Sequence, residues 1–114
     1  MSDCLFCRLA SGAIPAKRLH EDDRCIAFRD IQPQAPVHVL VIPREHVSSA
    51  SALDEGHEPL AGHLLRVGAK VAMDEGVAES GYRLVFNTGP DAGQSVFHLH
   101  LHVLGGRSMS WPPG

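Results

Sequence analysis

The stretch GQSVFHLHLHVLGG, residues 93–106, places three histidines in strict alternation with apolar residues. Alternate residues of a β-strand point to the same face, so His98, His100 and His102 are expected on one face and the apolar residues between them on the other. Same-face neighbours in a strand lie about 6.6 Å apart. The pattern predicts a strand over Phe97–Leu104 with an apolar face and a row of imidazoles opposite.

Length and composition indicate a single globular domain over residues 1–114. Hydrophobic residues make up 44% of the chain and charged residues 20%, as in ordinary soluble domains. The net charge is −3 and the basic residues are scattered, so no basic stripe exists to bind a nucleic acid polymer. The longest apolar run, VLVIP, is too short to span a membrane. A mononucleotide stays possible as a ligand, because a few NH groups can hold one phosphate.

The cysteines indicate the cellular compartment. There are three, Cys4, Cys7 and Cys25, and the opening MSDCLFCRLA does not resemble a secretory leader. We therefore expect a cytoplasmic protein with reduced thiols and without disulfides.

Two helices are predicted from apolar periodicity and capping residues. Asp3 is expected to cap a short helix over Cys4–Ala10. A longer helix is expected to begin around Pro59, because proline is favoured at the first helical position, and to end near Gly76. Its apolar residues recur at the spacing of a half-buried helix: Leu60, Leu64, Val67 and Val71.

Four more strands are predicted from short apolar runs bounded by turn residues. They are expected near Leu19–His20 and over Cys25–Ile31, Val37–Pro43 and Tyr82–Asn87. The third run is apolar on both faces except for His38, which is typical of a central strand. Helix, three strands, helix and two strands suggest an α+β domain with an antiparallel sheet of about five strands.

The loop NTGPDAGQS, residues 87–95, precedes the histidine row and is rich in glycine. Backbone NH groups of such turns bind anions, so the combination points to phosphorus chemistry. A neutral His100 whose Nδ1–H is held by a backbone carbonyl can attack phosphorus through Nε2. His102 and the loop NH groups would then stabilise charge on the phosphoryl oxygens. Two alternatives stay open: surface histidines on a strand, and histidines that hold a catalytic zinc.

The motif HLHLHVL resembles the signature of the histidine triad (HIT) superfamily, His-x-His-x-His followed by apolar residues. Further segments are similar to the Hint branch of this superfamily, the histidine triad nucleotide-binding proteins. These segments are IPAK, EDDRCIAFRDIQPQAPVHVLVIPREH, GYRLVFNTGPDAGQSVFHLHLHVLGG and the terminal WPPG. The likeness weakens only in SSASALDEGHEPLAGHL. The His-Pro-His-Gln of the galactose-1-phosphate uridylyltransferase branch is absent, and the tail GGRSMSWPPG is unlike Fhit-type hydrolases.

The resemblance implies a HIT-like fold whose sheet extends across a homodimer. It also implies a purine nucleoside phosphoramidase, which cleaves the P–N bond of adenosine or guanosine 5′-phosphoramidates through a nucleotidyl-histidine intermediate and requires no cofactor for catalysis. The alternatives are a nucleotide-binding interaction protein with incidental turnover and a dinucleoside polyphosphate hydrolase. The expected partner is a purine mononucleotide substrate.

Site residues are implied by the resemblance, position by position. His100 matches the nucleophile, and the other catalytic positions are His102, Ser95 and His38. Arg29 stands where the family often has a histidine. The implied nucleotide-binding residues are Leu5, Phe6, Leu9, Phe28, Arg29, Asp30, Ile31, Asn87, Gly93, Gln94, Ser95, Val96, His100 and His102.

A structural zinc is also implied by the resemblance. Some HIT proteins bind zinc with residues that match Cys4, Cys7, His46 and His98 here. A Cys-x-x-Cys pair at a helix start favours thiolates, and Cys₂His₂ is a standard structural zinc set. The alternative is two small buried cysteines and an unrelated histidine. Cys25 has no expected partner and is assigned to the core.

The homodimer implied by the resemblance pairs edge strands and the long helix. Val67, Gly68, Ala69 and Val71 could serve that interface, although core packing accounts for them equally well. The tail Ser110–Gly114 is expected to reach toward the active site of the partner.

Overall fold

The structure, a computed structural model that describes residues 3–114, has the predicted α+β architecture with two helices and one five-stranded antiparallel sheet. In chain order the elements are α1 (Leu5–Ser11), β1 (Arg18–Glu21), β2 (Cys25–Arg29), β3 (Val37–Pro43), α2 (Glu58–Asp74), β4 (Tyr82–Phe86) and β5 (Leu101–Gly105). None of the helices in residues 3–114 combines the length and apolar character that crossing a membrane requires.

The sheet order is β1-β2-β3-β5-β4, and every neighbouring pair is antiparallel. β3 therefore lies at the centre, as its two apolar faces predicted. β5 is inserted between β3 and β4, so His102 pairs with Leu40 on one side and with Val85 on the other. This insertion places His102, the last histidine of the motif, on an interior strand beside β3.

Each helix covers a different face of the sheet. The α2 face is covered by the long helix and forms the larger core, with Leu64, Val67 and Val71 packed on Val41 and Val103. On the α1 face the short helix contributes Phe6, Leu9 and Ala10. These pack with even-numbered residues of β2 and β3, namely Ile26, Phe28, Leu40 and Ile42. Because α1 is short, the rest of this face stays open near β5.

The side of α2 that was considered for a dimer interface is instead packed within the protomer. Val67 and Val71 are buried, and a Cβ at Gly68 would lie 2.7 Å from Leu101 Cδ2. The glycine thus allows α2 to approach β5 closely. Core packing, the other interpretation of these residues, is therefore correct for Val67, Gly68 and Val71, while Ala69 is partly exposed.

Helix α1 is capped by Cys4, so the prediction of Asp3 as the cap is wrong. Cys4 Sγ accepts a hydrogen bond from the Cys7 amide at 3.3 Å. An N-cap side chain makes this kind of bond to an amide in the first turn of the helix. Gly12 ends the helix in the left-handed conformation with φ 86°. The long helix follows its prediction closely, with Pro59 in its first turn and Gly76 just beyond its end.

β5 begins at Leu101, four residues later than predicted, because the ladder with β3 ends where Val41 pairs with Leu101. The carbonyl of Pro43, at the end of β3, accepts a hydrogen bond from the His98 ring. His98 and His100 therefore precede the strand. β2 is also shorter than predicted, because the Asp30 side chain accepts from the Gln32 amide and turns the chain.

Candidate active site

A cavity of about 1000 Å³ opens on the α1 face between α1, β2, β3 and the loop before β5. It collects almost every catalytic and nucleotide-binding residue that the sequence predicted. The exceptions are Asn87 and Gln94. Lining it are Leu5, Phe6, Leu9, Phe28, Arg29, Asp30, Ile31, His38, Gly93, Ser95, Val96, His100 and His102.

The proton of His100 is fixed on Nδ1. This atom lies 2.7 Å from the carbonyl oxygen of His98, and because a carbonyl can only accept, Nδ1 must be the donor. The lone pair of the neutral ring is therefore on Nε2. His100 is 7% exposed, and its ring packs edge-on against Phe6 at a centroid distance of 5.1 Å. This buried, oriented imidazole is the arrangement that a nitrogen nucleophile needs.

The proton of His102 is on the opposite nitrogen, because a chain of hydrogen bonds fixes it. The backbone amide of Gln34 donates to His38 Nδ1 at 3.0 Å, so the proton of neutral His38 is on Nε2. His38 Nε2 lies 2.9 Å from His102 Nδ1 and donates to it. His102 consequently carries its proton on Nε2. Two neighbouring imidazoles thus differ in role: His100 offers a lone pair and His102 offers an N–H group.

Asn87 contacts His102 although it is not part of the cavity lining. Its Nδ2 atom lies 3.5 Å from His102 Nε2. With the proton of His102 on Nε2, this contact becomes a hydrogen bond when the amide is rotated by 180°, so that Oδ1 accepts.

Burial keeps these imidazoles uncharged. Burial is the main cause that lowers the pKa of His102 to about 4, and the neighbouring His100 and His38 add to the effect. Burial also lowers the pKa of His38, although the nearby Asp30 carboxylate opposes this. Both rings are therefore neutral at pH 7, as the tautomer assignment requires.

Asp30 closes a turn and also faces the cavity. Its Oδ1 accepts from the Gln32 amide at 2.8 Å, which closes the turn after β2. Its Oδ2 lies 3.5 Å from His38 Nε2 at the cavity wall. The free side of this carboxylate can accept hydroxyl hydrogens from a ligand.

Three predicted residues lie at the margin of the site. The guanidinium of Arg29 donates to Glu75 at 2.8 Å, so this charge is engaged at the end of α2. The Gln94 side chain bridges Gly89 and Val96 and thereby fixes the shape of the glycine-rich loop. Ile31 is 95% exposed and forms the rim of the cavity.

Sequence reasoning missed one wall of the cavity. The segment Ile14–Lys17, which connects α1 to β1, lines it together with Gln32, Gln34 and Leu40. The motif IPAK belongs to the family resemblance, but its residue types by themselves indicate no role in a site. Its place in the site is a consequence of how α1 folds back over the sheet.

The four residues considered for zinc meet at the start of α1. Cys4 Sγ and Cys7 Sγ lie 3.3 Å and 3.4 Å from His98 Nδ1, and His46 Nδ1 lies 3.3 Å from Cys7 Sγ. All four ligand atoms lie within 4.8 Å of one another. A tetrahedral zinc with bonds of about 2.0–2.3 Å needs ligand atoms roughly 3.3–3.8 Å apart, so the set fits.

The orientation of His98 also suits a metal ligand. Its Nε2 lies 2.8 Å from the Pro43 carbonyl and must donate to it, which leaves the lone pair on Nδ1 facing both sulfurs. His102 belongs to a different cluster, with Asp30 and His38. Within residues 3–114 no metal-ligating cluster unites His98, His100 and His102, which argues against a three-histidine catalytic zinc.

Comparison with known proteins agrees with this geometry. The HIT domain family matches residues 11–109. An uncharacterized HIT-like protein from Synechococcus elongatus is 51% identical over 112 residues, which is 98% of this chain and 97% of that protein. A similar uncharacterized HIT-like protein from Synechocystis is 50% identical over the same shares of the two chains.

Solved structures give the same result. A HIT family hydrolase from Legionella pneumophila superposes with a TM-score of 0.95 at 49% identity, covering 98% of this chain and all of that one. A HIT family hydrolase from Clostridium thermocellum superposes with a TM-score of 0.93 at 44% identity, covering 96% of each chain. The chain belongs to the HIT domain family. Its fold is that of the HIT family hydrolases.

Proposed function

We propose that this protein is a purine nucleoside phosphoramidase of the Hint branch, which hydrolyses adenosine or guanosine 5′-phosphoramidates to the monophosphate and an amine. The observation that carries the proposal is the pair of tautomers at His100 and His102. A nucleophilic nitrogen and a hydrogen-bond donor face one cavity, which is what attack on a phosphoryl group requires.

In the first step His100 Nε2 attacks phosphorus, a P–Nε2 bond forms, and the bond from phosphorus to the amine breaks. Positive charge develops on the imidazole, and the His98 carbonyl stabilises it through the Nδ1–H it already accepts. The leaving nitrogen takes a proton from Ser95 or from water. In the second step water attacks phosphorus and passes its proton to Ser95 or to solvent, which restores the proton given to the amine. The P–Nε2 bond breaks, and His100 is regenerated.

His102 stabilises the phosphoryl oxygens in both steps. Its Nε2–H is a neutral donor, held in place from behind by His38. Ser95, which lines the cavity, supplies a further donor, whereas the amides of Gly93 and Gln94 already donate to the carbonyls of Pro90 and Gly89. Fixed donors of this kind, directed at developing charge, commonly contribute a few kcal/mol each to transition-state stabilisation.

The remaining cavity suits a nucleoside. Phe6, Leu9 and Phe28 form an apolar wall next to His100, and a purine ring can insert there. Asp30, at the other side, has an oxygen available for ribose hydroxyls. The catalytic groups need no cofactor in this scheme, because the nucleophile, the donor and the carboxylate all belong to the chain.

The zinc, when bound to Cys4, Cys7, His46 and His98, supplies structural stability rather than chemistry. It would join the start of α1 to the end of β3 and to the residue that holds His100. The proposal is supported by the Sγ–Nδ1 distances of 3.3–3.4 Å and by the lone pair of His98 that faces both cysteines.

A homodimer is proposed on separate grounds. β4 is the last strand of the sheet order, so its outer edge is available to another strand. Phe97 and Trp111 are 64% and 80% exposed, and a partner subunit would cover apolar surface if it packed on them. Sedimentation at micromolar concentration should give twice the mass of 12.3 kDa, and a stable species of 12.3 kDa would contradict the dimer.

The function is tested with adenosine 5′-phosphoramidate as substrate and the His100→Ala variant. We expect turnover by the wild-type protein and none by the variant, while both bind AMP with similar affinity. A wild-type protein that binds AMP but releases no amine would favour a pure binding protein. Hydrolysis of a diadenosine polyphosphate at a higher kcat/KM would instead favour the dinucleoside polyphosphate activity.

A further inference from the structure

A second cluster of metal-ligating side chains lies on the α2 side of the sheet, away from the cavity and from the Cys4 cluster. His20 is on β1, Asp22 is in the turn that follows, Cys25 begins β2, and His63 is on α2. Their ligand atoms all lie within 4.8 Å of one another. Cys25 and His63 are buried, whereas His20 and Asp22 are partly exposed and provide access from solvent.

The Asp22 carboxylate is oriented toward the centre of this cluster. Its Oδ1 accepts from the amides of Arg24 and Cys25 at 2.8 Å and 2.9 Å, which fixes the plane of the carboxylate. Its Oδ2 then lies 2.7 Å from the Nε2 atoms of both His20 and His63. The same oxygen lies 3.6 Å from Cys25 Sγ. Three other ligand atoms therefore converge on one carboxylate oxygen.

We propose that the His20 cluster, which consists of His20, Asp22, Cys25 and His63, is a second binding site for a divalent transition metal of the Zn²⁺ type. Two imidazoles, a carboxylate and a thiol match the ligand preferences of such ions, whereas Ca²⁺ and Mg²⁺ require mainly oxygen ligands. One carboxylate and one thiolate also neutralise the two charges of the ion.

Loading the site requires only small movements. Bonds of about 2.0–2.3 Å in a tetrahedron separate ligand atoms by roughly 3.3–3.8 Å, so the two carboxylate–imidazole contacts of 2.7 Å must lengthen by roughly 0.6–1.1 Å. His20 and Asp22 are partly exposed, which leaves room for this movement. Each imidazole must also transfer its proton from Nε2 to Nδ1 to present a lone pair to the ion.

The thiol supplies the fourth ligand by losing its proton to solvent. Burial, together with the Asp22 carboxylate, raises the pKa of Cys25 to about 12, so the metal-free side chain is a thiol. A bound cation displaces this proton, as metals do with coordinating thiols. The bound ion would join the β1–β2 hairpin at the sheet edge to α2, and this is a structural role distinct from the active site.

The proposal is tested by titrating the full chain with Co²⁺ and following metal stoichiometry and cobalt–thiolate absorption. The variants are His20→Gln, at a partly exposed position, and Cys25→Ala, at a buried one. The matched control is His57→Gln, a histidine paired with Glu45 outside the cluster. Circular dichroism establishes which variants are folded.

We expect the wild-type and His57→Gln proteins to bind one more equivalent of Co²⁺ than His20→Gln and Cys25→Ala. This difference is measured whether or not the Cys4 cluster takes metal. In a Cys4→Ser/Cys7→Ser protein the remaining absorption should be that of a single cobalt–thiolate bond, lost when Cys25→Ala is added. Equal stoichiometry in the wild type and in folded His20→Gln would overturn the proposal, and this readout suffices if Cys25→Ala does not fold.

Discussion

The rings of His100 and His102 lie 4.9 Å apart with an interplanar angle of 60°, and they hold their protons on different nitrogens. The backbone determines both assignments. The carbonyl of His98 fixes the proton of His100, and the amide of Gln34 fixes that of His102 through His38. The division into nucleophile and donor is therefore built into the fold before any ligand binds.

The His38→Phe variant should lower kcat/KM for an adenosine phosphoramidate by roughly 10- to 100-fold, a magnitude usual for residues that orient a catalytic group. The phenyl ring fills the space but donates no hydrogen bond to His102 Nδ1, so the tautomer of His102 is no longer fixed. Steady-state kinetics measure this effect. Binding of AMP should weaken much less than kcat falls, and a variant with unchanged kcat would contradict the positioning role of His38.

Folding stability should decrease as the pH falls from about 6.5 toward about 4. The pKa of His102 is lowered from 6.5 to about 4 in the folded protein, so in this range the unfolded chain binds more protons than the folded one. The stabilisation is present above pH 6.5 and is lost as the pH decreases. Urea unfolding at several pH values measures it. His102→Asn should show a flatter profile in this range. His57→Gln removes a histidine whose pKa is raised mainly by its hydrogen bond to Glu45, so it should change the profile at and above pH 6.5 and leave the slope toward pH 4 as in the wild type.

Gly68→Ala and Gly62→Ala should change stability in opposite directions, although both lie in α2. A Cβ at position 68 would be 2.7 Å from Leu101 Cδ2, whereas one at position 62 meets nothing within 4 Å. Overpacking costs about 1–3 kcal/mol, and alanine gains about 0.5–1 kcal/mol over glycine in an exposed helix. Denaturant unfolding should therefore show a less stable Gly68→Ala and a slightly more stable Gly62→Ala. Equal stability of the two variants would contradict the close contact between α2 and β5.

The Cys7→Ser variant should lose zinc and thermal stability but keep its chemistry. Cys7 Sγ lies near both His46 and His98, so the substitution removes one of the four zinc ligands. The Nδ1–H of His100 still donates to the His98 carbonyl. Elemental analysis should give one zinc fewer than in the wild type, and Tm should decrease. Initial rates well below Tm should stay within a few-fold of wild type. Complete inactivation of a folded Cys7→Ser protein would indicate that the zinc takes part in catalysis.

The sequence predicted the parts of the fold that depend on local pattern. The apolar repeat of α2 and the run Val37–Pro43, which is apolar on both faces, predicted α2 and β3 correctly. Burial determines which positions of a helix or strand are apolar, so both elements are visible in the sequence pattern. The cavity residues came from the family motifs. The roles assigned to them remain predictions.

What the sequence could not predict depends on contacts between distant residues. The ring of His98 donates a hydrogen bond to the Pro43 carbonyl, 55 residues away in the chain. This contact lies just before β5, so His98 and His100 are not part of the strand. Arg29 pairs with Glu75, and the His20 cluster draws on β1, β2 and α2. The spacing of residues along the chain does not predict these long-range contacts, because they depend on the order of the strands in the sheet.

The most direct test of the account is a rapid acid-free quench of the wild-type protein with an adenosine phosphoramidate, followed by peptide mass spectrometry. We predict a peptide that contains His100 and carries one covalently bound nucleoside monophosphate, formed at the rate of amine release and absent from His100→Ala. Amine release without any such adduct, or an adduct on another residue that survives in His100→Ala, would contradict a histidine nucleophile at position 100.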